Sequence, residues 1–238
     1  MKDDTQKEII KELMFFSSET RKKSSMRFFK TNKGEYGEGD LFRGVSVPDQ
    51  RAIAKKHHEK ANKETIESLL DSEFHEDRLT AIFILTHKYN GSFKKGNPME
   101  WVDLYLAKID RINNWDLVDS SAYSILGKWL EDKDRSILYE LAKDSSMWRN
   151  RIAIVTTKHF IKKNDCKDVL LLSKLLLHHP HDLIHKATGW MLREAWQVNP
   201  EVIHDFLKKH VANMPRTMLR YTIEKMSEQD RKRYMAKK

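Results

Sequence analysis

Residues 113–130, "NNWDLVDSSAYSILGKWL", place an aspartate among large apolar side chains. Asp119 follows Trp115 by about one helical turn, so on a helix the two side chains share a face. Carboxylates are seldom left in apolar surroundings without a partner or a chemical task. One explanation for Asp119 is therefore a chemical task. The alternative is a structural role, in which Asp119 caps or braces a neighbouring helix through an arginine.

Several segments carry tryptophan, arginine and aspartate in a specific order. The main ones are "NNWDLVD" (113–119), "MWRNRIA" (147–153) and "KATGWMLRE" (186–194), and "LFRGVSVPDQR" (41–51) and "NPE" (199–201) support them. Together they resemble the AlkD family of DNA alkylation-repair glycosylases, over most of the chain. The resemblance implies an all-α, HEAT-like fold whose concave, basic surface binds duplex DNA. It also implies removal of N3- and N7-alkylated purines by cleavage of the N-glycosidic bond.

The resemblance assigns roles to individual residues. Asp119 matches the catalytic aspartate of the family, and Arg151 matches its cleft arginine. Trp115 and Trp190 match its two DNA-facing tryptophans. Phe28, in "MRFFK", stands where the family often has a tyrosine, so this DNA-facing position lacks a hydroxyl. The loop at 31–44, which holds four of the eight glycines, is longer than is usual in the family.

A single carboxylate suits this chemistry. An ordinary glycoside hydrolase uses two, because the leaving oxygen must be protonated while the other face of the sugar is attacked. A purine alkylated at N3 or N7 is already cationic and leaves as a neutral base, so Asp119 need only stabilise the oxocarbenium-like sugar and steer a water. Trp115 and Trp190 could offer electron-rich faces to that cation. Arg151 could hold a flanking phosphate.

The resemblance also implies that the lesion is approached from the DNA backbone, without the tight base pocket that most glycosylases use. This would predict tolerance of bulky adducts. Each residue has a simpler interpretation as well: tryptophans at helical spacing are more often core, and Arg151 could be an ordinary surface charge. The functional interpretation depends on the four residues as a set.

The elements that must position these residues are helices. The chain has 8 glycines, 5 prolines and 33% charged residues, a balance that favours helices over a turn-rich β-protein. Helical periodicity runs from end to end and no strand pattern competes. The predicted helices span 5–16, 18–30, 47–60, 63–71, 75–89, 98–109, 114–131, 134–143, 147–163, 166–178, 181–198, 200–210, 215–226 and 228–236.

A weak internal repeat underlies the helices. Segments that begin near residues 78, 119, 150, 184 and 219 align so that one position is always small. The residues at that position are Ala81, Ala122, Ala153, Ala187 and Thr222, spaced as in two-helix repeats. We therefore expect one domain over 1–238, a right-handed α-solenoid of about six HEAT-like pairs with a concave basic DNA-binding surface.

Charge and composition limit the partners. The net charge of +9 favours a polyanion such as double-stranded DNA, although a lysine-rich surface is the simpler explanation. Five basic residues on or near the later helices are candidate phosphate contacts. They are Arg149, Lys186, Arg193, Arg216 and Arg220. The terminal "RKRYMAKK" is expected to add nonspecific DNA affinity.

Other classes of site are disfavoured. Neither glycine-rich phosphate motif occurs, so no nucleotide cofactor is expected. The lone Cys166 excludes zinc sites of the Cys-x-x-Cys type, and the histidines of "HHPHDLIH" (178–185) resemble a metal cluster in composition only, so no metal is expected. Without a signal sequence or membrane span, we expect a cytoplasmic protein. Because solenoids of this size are usually self-sufficient, we expect a monomer.

Three functions remain open from the sequence. The first is a monofunctional alkylpurine DNA glycosylase, and the second is a non-catalytic HEAT-like protein that binds DNA structure. The third is a solenoid scaffold for protein partners, whose concave face would not need an aspartate beside two tryptophans.

Overall fold

The computed structural model describes residues 4–93 and 97–236, and over these ranges the regular structure is helical. The prediction of an all-α protein is confirmed. The α-helices are α1 (Asp4–Phe15), α2 (Glu19–Phe28), α3 (Val47–His57), α4 (Lys63–Leu70), α5 (His75–Ser92), α6 (Met99–Ala107), α7 (Trp115–Ser121), α8 (Ser136–Lys143), α9 (Met147–Thr156), α10 (Lys158–Ile161), α11 (Lys167–Leu175), α12 (Asp182–Val198), α13 (Pro200–His210), α14 (Arg216–Ile223) and α15 (Glu228–Met235).

Two predicted helices are interrupted. The segment 114–131 was expected to be one helix, but α7 ends at Ser121 and a π-helical turn follows over Tyr123–Gly127. The amide of Gly127 donates to the carbonyl of Ala122 at 2.9 Å, across five residues. A Cβ at Gly127 would lie 2.7 Å from the Cβ of His159, so close packing requires glycine here. A π turn inserts a single residue into a helical segment, and the sequence pattern did not predict it.

The second interruption divides the predicted helix 147–163 into α9 and α10. The break falls at Thr157, whose hydroxyl donates to the carbonyl of Ile154 at 2.6 Å. The hydroxyl of Thr156 likewise donates to the carbonyl of Ile152 at 2.7 Å. Threonines that bond back to the helix backbone compete with its regular hydrogen bonds and bend it. The apolar pattern alone gave no sign of this break.

The chain divides into two compact units, one up to Ser121 and one from Ala122. In the first unit α5 is the central helix, packed against α3, α4 and α7. Its apolar side chains are buried, and so are four consecutive polar ones at its start, His75 to Arg78. Buried charges need partners, and the loop at 31–44 supplies several of those of α5.

In the second unit α12 is central and packs against α14, α9 and α13. Gly189 makes the close contact with α14 possible, because a Cβ there would lie 2.5 Å from the carbonyl oxygen of Met218 and 2.6 Å from the Cβ of Tyr221. The small residues of the internal repeat are fully buried in both units. They are Ala81, Ala122, Ala153, Ala187 and Thr222.

The packing at Gly189 gives a prediction about stability. Gly189→Ala is expected to destabilise the protein by about 1–3 kcal/mol, since the added methyl group overlaps the backbone of α14. Gly91→Ala is the matched control, because it also lies in a helix but a Cβ there meets nothing within 4 Å. That change should instead stabilise by about 0.5–1 kcal/mol. Urea unfolding midpoints measure both, and a shift of the same sign for the two variants would contradict the packing described here.

Within residues 4–93 and 97–236, no helix combines the length and the apolar character needed to cross a membrane.

Candidate functional site

Helix α7 begins directly after Asn114, a buried residue that caps it. The side-chain oxygen of Asn114 accepts from the amide of Trp115 at 2.8 Å, and its carbonyl accepts from the amide of Val118 at 3.1 Å. The first bond satisfies an amide that a helix N-terminus otherwise leaves unpaired, and the second is the first regular hydrogen bond of the helix. Trp115 and Asp119 lie one turn apart on α7, as predicted, and both side chains are half-buried.

Aromatic rings hold Trp115. Its ring stacks on Phe29, with centroids 5.3 Å apart and planes 19° apart. Phe28 meets it edge-on at 5.7 Å and remains 64% exposed. The residue at the position of the family's tyrosine is thus beside Trp115 and largely accessible. Without the hydroxyl, this position offers only apolar contact.

A buried charge network lies beneath Trp115 in the first unit. His75 donates from Nε2 to Asp116 at 2.8 Å and from Nδ1 to Asp40 at 3.1 Å. Arg78 donates to the other oxygen of Asp40 at 2.5 Å, and the side-chain amide of Asn114 donates to Asp40 at 3.3 Å. The residues on either side of Trp115 are therefore both tied to this network. Two acidic and two basic side chains make it electrically balanced.

The pKa values reflect this arrangement. Burial acts against the charged form of His75, but the charge of Asp116 and hydrogen bonds to Asp116 and Asp40 outweigh it and raise the pKa of His75 to about 9. Burial also acts to raise the pKa of Asp40, yet hydrogen bonds and charges of His75 and Arg78 hold it below its usual value. The network is therefore charged at neutral pH.

The segment that carries Asp40 is anchored on the start of α5. The carboxylate of Glu76 accepts from the amides of Arg43 at 2.9 Å, Gly44 at 2.8 Å and Val45 at 3.2 Å. The guanidinium of Arg43 forms two hydrogen bonds with Asp77, at 2.7 and 2.9 Å. Gly44 has φ of +78°, and a Cβ there would lie 2.2 Å from the carbonyl oxygen of Ser18. These contacts explain the motif "LFRGVSVPDQR" structurally.

In the second unit, Arg151 lies on α9 and Trp190 on α12. Arg151 is buried and donates to the carbonyl of Leu183, in the first turn of α12, at 2.7 Å. It is therefore not an ordinary surface charge. Trp190 is half-buried, and its indole N–H donates to Glu194 at 3.1 Å.

A lysine and a tyrosine accompany Trp190. The ammonium of Lys158 lies 4.5 Å from the centre of the Trp190 ring and 5.4 Å from that of Tyr123. It also lies 3.5 Å from Glu194, which orients it. Lysine over aromatic faces is a stabilising arrangement that keeps a cation near the surface.

The predicted phosphate contacts differ in how available they are. Arg149 pairs with Asp144, and Lys186 pairs with Asp182. Arg193 pairs with Glu224 and is largely covered. Arg216 and Arg220 are exposed one turn apart on α14, and no acidic side chain of the described residues forms an ion pair with either.

The histidines of 178–185 hold a helix junction together. His179 bonds to the side-chain oxygen of Asn150 at 3.1 Å, and His185 to the carbonyl of His179 at 2.6 Å. Across the described parts of the chain, no three His, Cys, Asp or Glu side chains are grouped to hold a metal ion. In "RKRYMAKK", residues 237 and 238 lie outside the described residues, and the preceding ones belong to α15 and the residue after it.

In the first unit Phe28 thus contacts Trp115, and Asp119 lies one turn from Trp115 on α7. In the second unit Arg151 and Trp190 lie on adjoining helices. The sequence did not identify His75, Asp40 or Lys158 as residues of the site. Asp116 stood beside Trp115 in the motif "NNWDLVD", but nothing in the sequence pairs it with a histidine 41 residues earlier.

Comparison with known proteins identifies the class. A family described as DNA alkylation repair enzyme matches residues 9–226, so the chain belongs to this family. The fold resembles the solved structure of a predicted DNA alkylation repair enzyme from Enterococcus faecalis, with a TM-score of 0.70 over 89% of this chain and 97% of that chain. The two sequences are 18% identical, so this structural similarity shows a common fold alone. No curated relative matches the chain significantly. The resemblance to the AlkD family is confirmed, and the protein is an enzyme of DNA alkylation repair that acts on DNA.

Proposed function

We propose that this enzyme is a monofunctional DNA glycosylase that hydrolyses the N-glycosidic bond of N3- and N7-alkylated purines in duplex DNA. The observation that carries the proposal is the face of α7, where half-buried Asp119 lies one turn from Trp115. A carboxylate in partly apolar surroundings acts on a nearby cation more strongly than one in open water. The neighbouring carboxylate, Asp116, bonds to His75 in the buried network, and Asp119 is the carboxylate that the family resemblance assigns to the chemistry.

In the proposed reaction, the bond between C1′ of the deoxyribose and the purine nitrogen breaks first. Both electrons go to the base, which was cationic and leaves neutral, so no general acid is needed. Asp119 stabilises the positive charge that develops on the sugar. A water oxygen then bonds to C1′, and its proton passes to Asp119 or to solvent. The face of the Trp115 ring adds electrostatic stabilisation of the cation.

Residues of the second unit are proposed to bind the DNA. Trp190 is assigned to the deoxyribose and Arg151 to a phosphate, both by the family resemblance. Among the further basic residues, the exposed pair Arg216 and Arg220 is the most available for phosphates. We further propose that the lesion is handled from the backbone without a base pocket, so that bulky adducts are accepted.

The finer description of the fold is also a proposal. We infer one domain built as a right-handed solenoid of about six HEAT-like pairs, acting as a monomer. Complete burial of Ala81, Ala122, Ala153, Ala187 and Thr222 supports it, because a small residue at each repeat lets neighbouring helices approach.

The test is release of free 7-methylguanine from a methylated duplex under single-turnover conditions. We expect release well above that of a sample without enzyme, and an abasic site that only subsequent alkali converts to a strand break. Immediate strand cleavage would contradict a monofunctional enzyme. No release, from this duplex or from one that carries N3-methyladenine, would overturn the glycosylase proposal.

The second candidate, a non-catalytic DNA-binding protein, is favoured by the positive net charge of +9 alone. It predicts salt-sensitive duplex binding without base release. In both cases log Kd should rise with log salt, with a slope of roughly 0.9 per phosphate contacted. Binding therefore establishes the partner, and release of base decides between the two functions.

A further inference from the structure

His75 is a buried, charged residue for which the proposed reaction has no use. It is 1% exposed, and each of its ring nitrogens faces a carboxylate. Asp40 comes from the loop at 31–44, and Asp116 comes from the first turn of α7. A neutral imidazole has one N–H and one lone pair, so it can donate to only one of these carboxylates. Only the imidazolium satisfies both, and it joins the loop to the helix.

The surroundings favour this charged form. The rings of Phe42 and Phe29 lie against the imidazole, with centroids 4.8 and 4.7 Å away. Phe29 in turn stacks on Trp115. Aromatic faces attract a cation and leave it no route to solvent. His75 is therefore connected to Trp115 twice, through Asp116 in the backbone and through Phe29 between the rings.

We propose that the His75 imidazolium is a positioning residue for base excision: by joining Asp40 to Asp116, it fixes the start of α7 and thereby the orientation of Trp115 and Asp119. This inference rests on the proposed function. Asp116 immediately follows Trp115 and lies almost one turn before Asp119, so the hydrogen bond to Asp116 acts on the part of the helix that presents both side chains.

Loss of the proton should disturb this geometry. A neutral His75 would turn a lone pair towards one of the two carboxylates, which would lose its hydrogen bond from the imidazole. Asp40 would keep its bonds to Arg78 and Asn114, whereas Asp116 would lose its bond to the network. The carboxylate and the start of α7 would move to find another. A displacement of about 1 Å in a catalytic group can reduce a rate by roughly 100-fold.

The pH dependence follows from the charges around His75. These are Asp40 on the loop, Asp116 on α7 and Arg78 one turn along its own helix; the end of α2 contributes only Phe29. Because the pKa of His75 is raised in the folded protein, the imidazolium stabilises the fold fully below about pH 6.5, and this contribution is lost as the pH rises through about 9. Excision should follow the same protonation and fall above pH 9.

The experiment compares single-turnover excision of 7-methylguanine, between pH 6 and 9.5, for the wild type and three variants. In His75→Gln, which keeps a donor but no charge, we expect a rate reduced by about 10- to 100-fold and no inflection near pH 9. In Asp116→Asn, which keeps the acceptor but removes one charge, the inflection should move to lower pH. His57→Gln is the control, because His57 is also buried and bonded to a carboxylate, that of Glu12 at 3.0 Å.

A purely structural histidine would give a different pattern. If His75 only filled space, Asp116→Asn would leave the pH profile unchanged, and that result would overturn the proposal. Wild-type rates in a folded His75→Gln would overturn it too. If His75→Gln does not fold, the pH profile of excision by Asp116→Asn still tests the positioning role of His75.

A spectroscopic readout separates this inference from the glycosylase proposal. In NMR spectra of the wild type, the amide signal of Asp119 should shift with pH in step with the ring signals of His75. In Asp116→Asn both titrations should move together to lower pH. If the wild type released no base while these signals still titrated together, the proposed function would fail and the positioning role of His75 in α7 would stand. Independent titration of the two signals would overturn the positioning role alone.

Discussion

Asp119→Asn is expected to reduce release of 7-methylguanine by about 1000-fold, while duplex binding stays within about threefold of wild type. Removal of one electrostatic stabiliser of a transition state typically reduces the rate by roughly 100- to 1000-fold. Here no second carboxylate is proposed to share the task, so we place the loss at the upper end. Asparagine has nearly the shape of aspartate, so α7 and the stacking of Trp115 should be preserved.

The control for this prediction is Asp103→Asn, which removes an exposed carboxylate from α6 of the same unit. It changes the net charge equally and should leave the rate unchanged. Both variants are measured with enzyme in excess over methylated duplex, and binding is measured separately at one salt concentration. A wild-type rate in Asp119→Asn would remove Asp119 from the mechanism. Loss of binding in parallel with activity would instead indicate the bracing role.

Much of the helical framework was accessible from the sequence because apolar spacing reports which face of each segment is buried. The helix that carries Trp190 was predicted at 181–198 and observed as Asp182–Val198. The small positions of the repeat were found for the same reason, since every one of them is fully buried. The π turn after Ser121 was not predicted. It adds one residue to a segment that is apolar on several sides, so the change of phase leaves no clear mark in the sequence.

Only part of the candidate site could be predicted from the sequence. Trp115 and Asp119 are one turn apart, so their relationship is local and the helix period reveals it. The network of Asp40, His75 and Asp116 depends instead on how the loop at 31–44 folds back onto α5. No periodicity predicts such a path, because a loop's course follows from particular hydrogen bonds and from glycines such as Gly44 with positive φ.

Two carboxylates of α7, Asp116 and Asp119, have different proposed tasks. Asp116 has its charge matched inside the protein by His75, and Asn114, on the other side of Trp115, is bonded to the same network. The charges that position the helix are thus compensated locally. In the proposed mechanism Asp119 acts on the substrate cation, whereas Asp116 positions the helix. This division explains why the network and the catalytic residue can be tested separately.

The second large effect is expected from Glu76→Ala, which should lower the stability by about 3 kcal/mol. Glu76 is 2% exposed, and its carboxylate is the acceptor for the amides of Arg43, Gly44 and Val45. Each buried donor that loses its acceptor costs about 1–3 kcal/mol, partly recovered if the loop opens to water. For a protein of this size the melting temperature should fall by roughly 6–12 °C.

Two variants make the measurement specific. Glu76→Gln keeps one acceptor oxygen and should lose about half as much stability, whereas Glu73→Ala removes an exposed carboxylate nearby and should stay within about 0.5 kcal/mol of wild type. Because the segment released by Glu76→Ala continues from Asp40, excision should also weaken at temperatures where the variant is still folded. Equal melting temperatures for Glu76→Ala and Glu73→Ala would mean that Glu76 does not anchor this loop. Lower melting temperature with unchanged excision would mean that the loop stabilises the fold without positioning α7.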